Sequence, residues 1–149
     1  MKKIEIFTDG ACQGNPGPGG WGAILRYNGH EKEISGGDAH TTNNRMELLS
    51  VIESLTLLKE PCDVILYSDS KYVCDAISKG WAKSWQKKGW KKSNNSPALN
   101  SDLWEKLLTL IDKHKINVVW IKGHAGHPEN ERCDKLAVLA ASKAKLTNL

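Results

Sequence analysis

Ile4-Glu5-Ile6-Phe7-Thr8-Asp9-Gly10 runs as alternating, β-favouring residues straight into an Asp-Gly pair, and its reading decides the fold. It predicts a first strand that stops on a carboxylate. The residues that follow, Gln13-Gly14-Asn15-Pro16-Gly17-Pro18-Gly19-Gly20, cannot make a helix and are expected to form a turn that buries no ladder. An acid at a strand end beside such a turn can approach a phosphate or a metal closely. Asp-Gly also favours turns for local reasons alone, so Asp9 by itself establishes no function.

Working outward, Trp21 to Tyr27 reads as a second strand and Glu31 to Gly36 as a third, joined by the hairpin signal Asn28-Gly29. A phosphate-cradling loop fails here, because such a loop must open a helix and end in Gly-Lys-Ser/Thr. Helical spacing takes over from Asn43 to about Lys59, with Met46, Leu49, Ile52, Leu55 and Leu58 as the apolar stripe. Pro61 closes it, and Asp63 to Ser68 returns as a strand. A right-handed crossover makes that strand parallel to the first, so Asp9 and Asp69 leave from the same C-terminal edge. A short helix over Lys71 to Ser78 ends at Gly80. Leu99, Leu103, Leu107, Leu108 and Ile111 mark a further helix, Ile116 to Ile121 the last strand, and Asn130 to about Ala144 the last helix. The prediction is an α/β fold: one mixed five-stranded sheet, three antiparallel strands and then parallel ones, with helices on both faces. No repeat or linker divides residues 1–149, so a single domain is expected.

Four acids share one property: each sits where a strand ends or a helix begins. Asp9 and Asp69 follow strands, Glu47 lies just inside the helix opened by Thr41-Thr42-Asn43-Asn44, and Asp134 lies in the first turns of the last helix. Each has a plain structural alternative. Asp69 could cap a helix, Glu47 could close a capping box with Asn44, and Asp134 could favour a helix dipole. Convergence of all four on one sheet edge would instead make a metal site. Hard carboxylate oxygens suit Mg²⁺, and four of them without metal must repel one another and raise at least one pKa. Zinc on His124, His127 and Cys133 fits no common spacing, and Cys133 falls on the apolar stripe of its helix.

Composition narrows the partners. The formal charge is +4, and from Lys79 to Lys92 there are six Lys, three Trp and no acid. Lysines neutralise phosphates while indoles stack on bases, so this stretch points to nucleic acid. The alternative is that the indoles fold inward and anchor a solvated protrusion. No apolar run reaches the length of a membrane span and Met1-Lys2-Lys3 leads straight into a strand, so no membrane association and a cytoplasmic location are expected. Cys12, Cys62, Cys74 and Cys133 show no close pairing, which favours free thiols.

Phe7-Thr8-Asp9-Gly10, Gly14 to Gly20, Thr41 to Glu47, Ser68-Asp69-Ser70 and Lys122 to Asp134 together resemble bacterial ribonuclease HI, over about residues 4 to 142. The resemblance implies an endonuclease that cuts the RNA strand of an RNA–DNA hybrid with two Mg²⁺ ions, with Mn²⁺ as a substitute. A monomer is the default expectation, short polar side chains such as Asn15 and Asn43 can read 2′-hydroxyls without reading sequence, and a place in primer and R-loop removal fits the resemblance. By resemblance, Asp9, Glu47, Asp69 and Asp134 would ligate metal, and His124 would assist proton transfer or product departure. Cys12, Asn15 and Asn43 would face ribose hydroxyls or the minor groove, with Asn44 near the bases. Thr42 and Arg45 would grip a phosphate of the DNA strand. Trp81, Trp85, Lys87, Lys88 and Trp90 would hold that strand on the protrusion. Lys71 departs from the Gln often found there, and Asp75 departs similarly. The alternatives are a non-catalytic hybrid- or DNA-binding module and a DNA-strand nuclease of the same fold.

Overall fold

The computed structural model describes residues 1–92, 94, 96–123 and 126–147. Five strands form one sheet in the order β3-β2-β1-β4-β5. In sequence they are β1 (Lys2–Cys12), β2 (Gly17–Tyr27), β3 (His30–Thr41), β4 (Cys62–Ser68) and β5 (Lys115–Trp120). The helices are α1 (Asn43–Thr56), α2 (Lys71–Ser78), α3 (Trp81–Lys87), α4 (Ser101–Ile111) and α5 (Pro128–Leu146). Strands β1, β2 and β3 pair antiparallel, while β4 pairs parallel to both β1 and β5, as the alternation and the crossover rule require.

Alternation along β1 sends Ile4 and Ile6 to one face of the sheet, where they join Leu48, Val51, Ile52 and Leu55 of α1 and Trp104, Leu107 and Leu108 of α4 in the main core. Phe7 points the other way, towards Ile24 and Cys133 of α5, and stacks on Tyr67 with ring centroids 4.7 Å apart. Helices therefore cover both faces. The hairpin turn at Asn28-Gly29 takes positive φ at both residues, 52° and 81°, as a two-residue turn of the primed type demands. No helix among the described residues is long and apolar enough to cross a membrane.

Several boundaries differ from the sequence reading, each for a physical reason. Strand β1 does not stop at Asp9-Gly10. It continues to Cys12, with Asp9 opposite Gly22, Ala11 opposite Gly20 and Cys12 opposite Gly19. The glycine-rich stretch is thus partly ladder, because α5 lies directly on it. A Cβ on Gly20 would stand 2.2 Å from the Ala137 carbonyl oxygen, and one on Gly22 2.6 Å from that of Cys133. Helix and strand backbones meet here with no room for a side chain. Strand β3 runs on past Gly36 for the same reason: a Cβ at Gly37 would come within 2.8 Å of the Ala140 carbonyl.

Helix α1 ends at Thr56, short of Lys59, as Leu57 and Leu58 turn back on the Ser54 and Leu55 carbonyls in a tightened last turn. Leu99 belongs to no helix. It is 74% exposed, ahead of an α4 that begins only after Asn100 takes a left-handed φ of 63°. The last strand is Lys115–Trp120 rather than 116–121, and α5 reaches Leu146.

Candidate active site

Asp9 lies in β1 where it faces the start of α1, and Asp69 directly follows β4, the parallel neighbour of β1. The crossover thus delivers both acids to one edge. Glu47 enters from α1, whose first turn is held by the Thr42 hydroxyl accepting from the Arg45 N–H at 3.3 Å. Thr42, not Asn44, is therefore the cap, and Glu47 is left free to point inward. One carboxylate oxygen from each of Asp9, Glu47 and Asp69 falls within 4.8 Å of the other two. Asp134, on α5, lines the same cavity of about 360 Å³, with Gly10, Asn43, Asn44, Ser70, Lys71 and Tyr72.

The Gly10 N–H donates to both Asp9 Oδ1, at 2.9 Å, and Glu47 Oε1, at 2.5 Å. Its missing side chain is required, since a Cβ there would meet the Glu47 backbone nitrogen at 2.8 Å. Gly123 presses on Asp69 in the same way, its would-be Cβ 2.9 Å from Oδ2. The Trp120 indole donates to the Asp69 carbonyl at 3.1 Å, and the Lys71 ammonium rests 5.0 Å above that indole ring.

These acids sit under strong strain of charge. Burial first, and then the charge of Asp69, raise Asp9 to about 7. Glu47, only 2% exposed, is pushed well above the ordinary carboxylate range by burial and then by Asp9. Its second oxygen, Oε2, is buried with no hydrogen-bond partner among the described residues. A buried carboxylate oxygen left unpaired among other carboxylates fits a divalent cation, which would satisfy it and relieve the repulsion. Asp9, Glu47 and Asp69 can hold such an ion.

The other expected residues divide into three groups. Asn15 and Asn43 come together, the Asn43 N–H donating to Asn15 Oδ1 at 3.1 Å, beside Asn44 at the cavity rim. Cys12 lies close by, with its thiol turned inward onto the Gly14 carbonyl at 2.7 Å. Arg45 is already engaged: it forks onto Asp102 at 2.8 and 3.0 Å and donates to Asn100 Oδ1 at 3.3 Å. These contacts use three of its five N–H donors.

On the protrusion, Trp85 packs edge-on against Trp104 at 6.1 Å and Trp90 lies against the main core. Trp81 stays 44% exposed. Trp81, Trp85, Lys88 and Lys92 line a groove of about 500 Å³ that also includes Tyr72, while Lys87 stays exposed at the end of α3. His124 lies outside the described residues. Of its neighbours, His127 caps α5 by accepting from the Asn130 N–H, and the Cys133 thiol is buried on the Phe7 carbonyl. Asp75 pairs with Lys79 at 3.7 Å, away from the acids. Tyr72 and Asn100 were missed in the sequence, where a tyrosine on a helix and an asparagine at the start of an expected helix carry no motif.

The RNase H family model matches residues 1–142. The ribonuclease H of Desulforamulus reducens is 59% identical over 146 residues, covering 98% of this chain and 92% of its own. That of Novosphingobium aromaticivorans is 60% identical over 144 residues, covering 97% and 100%. Among solved structures, LC9-RNase H1 superposes with a TM-score of 0.85 at 31% identity, over 97% of this chain and 74% of that one. LC11-RNase H1 in complex with RNA/DNA hybrid superposes with a TM-score of 0.70 at 25% identity, over 95% and 98%.

Proposed function

The chain belongs to the ribonuclease H family, and from that premise we propose that it hydrolyses the RNA strand of RNA–DNA hybrids as one monomeric domain. The observation that carries this reading is the convergence of Asp9, Glu47 and Asp69 with an unpaired buried oxygen on Glu47. Asp9, Glu47, Asp69 and Asp134 would hold Mg²⁺, or Mn²⁺ in its place, and two such ions supply an activated water and charge relief on the leaving oxygen.

What the protein itself contributes is placement. Gly10 fixes Asp9 and Glu47 against each other, and Trp120 ties the Asp69 backbone to β5. Asn15 and Asn43, joined at the rim, offer short polar groups that read ribose hydroxyls across a wide minor groove without reading sequence, with Asn44 beside them near the bases. Cys12 and Thr42 shape the same rim. Lys87, Lys88 and the indoles of Trp81, Trp85 and Trp90 hold the DNA strand on the protrusion, and Arg45 supports that side through Asn100. His124 moves a proton or helps product leave, a role that rests on its place in the motif.

A labelled hybrid, an all-DNA duplex and an all-RNA duplex incubated with Mg²⁺ test the reading. Cleavage confined to the RNA strand of the hybrid is expected, and Asp69→Asn abolishes it while hybrid binding persists. Equal cleavage of all-DNA duplex, or turnover retained in Asp69→Asn, overturns it.

A further inference from the structure

Every second residue of β2 meets α5 about one turn further along the helix. A Cβ on Gly20 would strike Ala137 and Ala141, and one on Gly22 would strike Leu136 and the Cys133 carbonyl. Ile24 packs with Cys133, and the Arg26 guanidinium donates to Glu129 Oε1 at 2.9 Å. Two strand residues span about 6.6 Å and four helical residues about 6 Å, which lets the match run along the whole contact. The glycine end of that contact is bare backbone. It offers no ridge to lock the helix along its axis, as interdigitating side chains would. Axial register is therefore set where side chains return, and the last of these contacts is the Arg26–Glu129 ion pair.

Arg26 is itself fixed from three sides. It donates twice to Glu31 Oε2, at 2.6 and 2.9 Å, stands 3.6 Å from Glu5 Oε1, and lies 5.0 Å over the Phe7 ring. Glu31 keeps Arg132 as a second cation at 3.1 Å, and Glu5 keeps the Tyr67 hydroxyl at 3.1 Å. Glu129 has no second Lys or Arg among the described residues, and only His127 Nδ1 stands near, at 3.5 Å. Removing Arg26 thus falls mainly on Glu129. Five residues on, Asp134 lines the carboxylate cavity without joining the close trio of Asp9, Glu47 and Asp69. Asp9 lies opposite Gly22 in the ladder, so any slide of α5 along β2 moves Asp134 relative to Asp9. One residue of slide is about 1.5 Å.

We propose that Arg26 is a positioning residue for hybrid cleavage: through Glu129 it fixes the axial register of α5, and with it the distance of Asp134 from the other three acids. The proposal rests on the hybrid-cleaving reading above. The two side chains are 29% and 21% exposed, so the pair is partly solvated and contributes modestly to stability. A displacement near 1 Å at the reacting centre costs about a hundredfold in rate. The expected signature is a large fall in kcat on a small fall in melting temperature.

The test assays Arg26→Gln and Glu129→Gln, singly and together, on labelled hybrid with Mg²⁺, well below every melting temperature. Each single variant is expected to lower kcat about tenfold or more with KM within about twofold, and the double variant should be no slower than the slower single. Arg26→Lys keeps the charge but not the fork and should recover part of the rate. Arg26→Gln is then repeated in an Asp134→Asn background, where it should bring no further loss. Calorimetric Mg²⁺ affinity without hybrid, read on the same four proteins, takes the place of kcat where Asp134→Asn turns over too slowly to measure. Wild-type kcat in Arg26→Gln, losses that multiply in the double variant, or the full Arg26→Gln loss in the Asp134→Asn background overturns the proposal while leaving wild-type cleavage of the hybrid intact. A kcat that falls only in step with melting temperature across the variants also overturns it, since that is the mark of a merely structural ion pair. Failure of the wild-type protein to cut the hybrid at all overturns the underlying reading, and this proposal with it.

Discussion

Gly10 and Glu47, 37 residues apart, meet with no space between them: the Gly10 N–H donates to Glu47 Oε1 at 2.5 Å, and a Cβ on Gly10 would lie 2.8 Å from the Glu47 backbone nitrogen. Backbone cannot yield as the end of a flexible side chain can. Gly10→Ala must therefore displace the first turn of α1 and, with it, Glu47. Metal affinity measured by calorimetry should fall, and turnover should fall by about two orders of magnitude or more, as a misplacement of around 1 Å implies. An alanine variant with wild-type turnover would show that α1 can shift without cost to the site.

Metal removal should expose a pH dependence of stability. The folded protein raises Asp9 to about 7 and Glu47 well above its usual value, chiefly by burial. In the unfolded chain both ionise near pH 4. Below that pH both states bind the protons equally. As pH rises from about 4 the unfolded state ionises first, so the metal-free fold loses stability up to and through about pH 7, where folded Asp9 ionises. Divalent metal binds the ionised acids and offsets the loss. Melting temperatures in chelator should fall between pH 5 and pH 8, and the increment from added Mg²⁺ should grow over the same range. Asp9→Asn should reduce both trends. A Mg²⁺ increment independent of pH would contradict the assignment.

The parts of this site legible in the sequence were those set by short-range rules. Asp9 and Asp69 share an edge because β1 and β4 are parallel, and that follows from a strand, a helix of the right length and a second strand. What stayed hidden depended on surfaces that carry no side chain. Gly20 read as a turn because glycine usually means one, and Gly22 as an ordinary strand residue. The absence of a side chain at these two positions admits Ala137, Ala141 and the Cys133 carbonyl of α5, the helix that carries Asp134. The pairing of a glycine-rich strand with an alanine-lined helix was present in the composition of both segments, but far apart in the chain. Tyr72 was hidden for a related reason, since Asn100 and Trp104 meet it only through tertiary structure.

Asp102 should carry the opposite pH signature from Asp9. Arg45 holds its carboxyl down to about 2, first by hydrogen bonding. A depressed folded value gives stability that is complete above the unfolded value near 4 and lost as pH falls towards 2. Comparing wild type with Asp102→Asn by urea denaturation from pH 2 to pH 6, the difference should be widest above about pH 4.5 and close near pH 2. With the Asp102 side chain 61% exposed, solvent screens the pair and the gap should stay below about 1 kcal/mol. A gap that widens on acidification would mean that Arg45 does not act through this carboxylate.

Trp81 and Trp85 stand one helical turn apart, and their substitutions should separate binding from folding. Trp81 is 44% exposed with the Lys79 ammonium 5.1 Å above its ring, and it opens on the groove lined by Lys88 and Lys92. Trp85 lies against Trp104, which is fully buried in the main core. Base stacking on an exposed indole contributes about 1–3 kcal/mol, so Trp81→Ala should weaken hybrid binding by roughly 5- to 150-fold. Its melting temperature should stay within about 2 °C of wild type, since surface substitutions rarely move stability by more than about 0.5 kcal/mol. Trp85→Ala removes an aromatic packed on the core and should cost about 2–4 kcal/mol of stability. Its loss of affinity should exceed that of Trp81→Ala only where the protrusion has come loose, visible as a matching loss of near-ultraviolet circular dichroism. Equal stability losses in the two variants would mean that both indoles serve as anchors and that the DNA strand is held by the lysines alone.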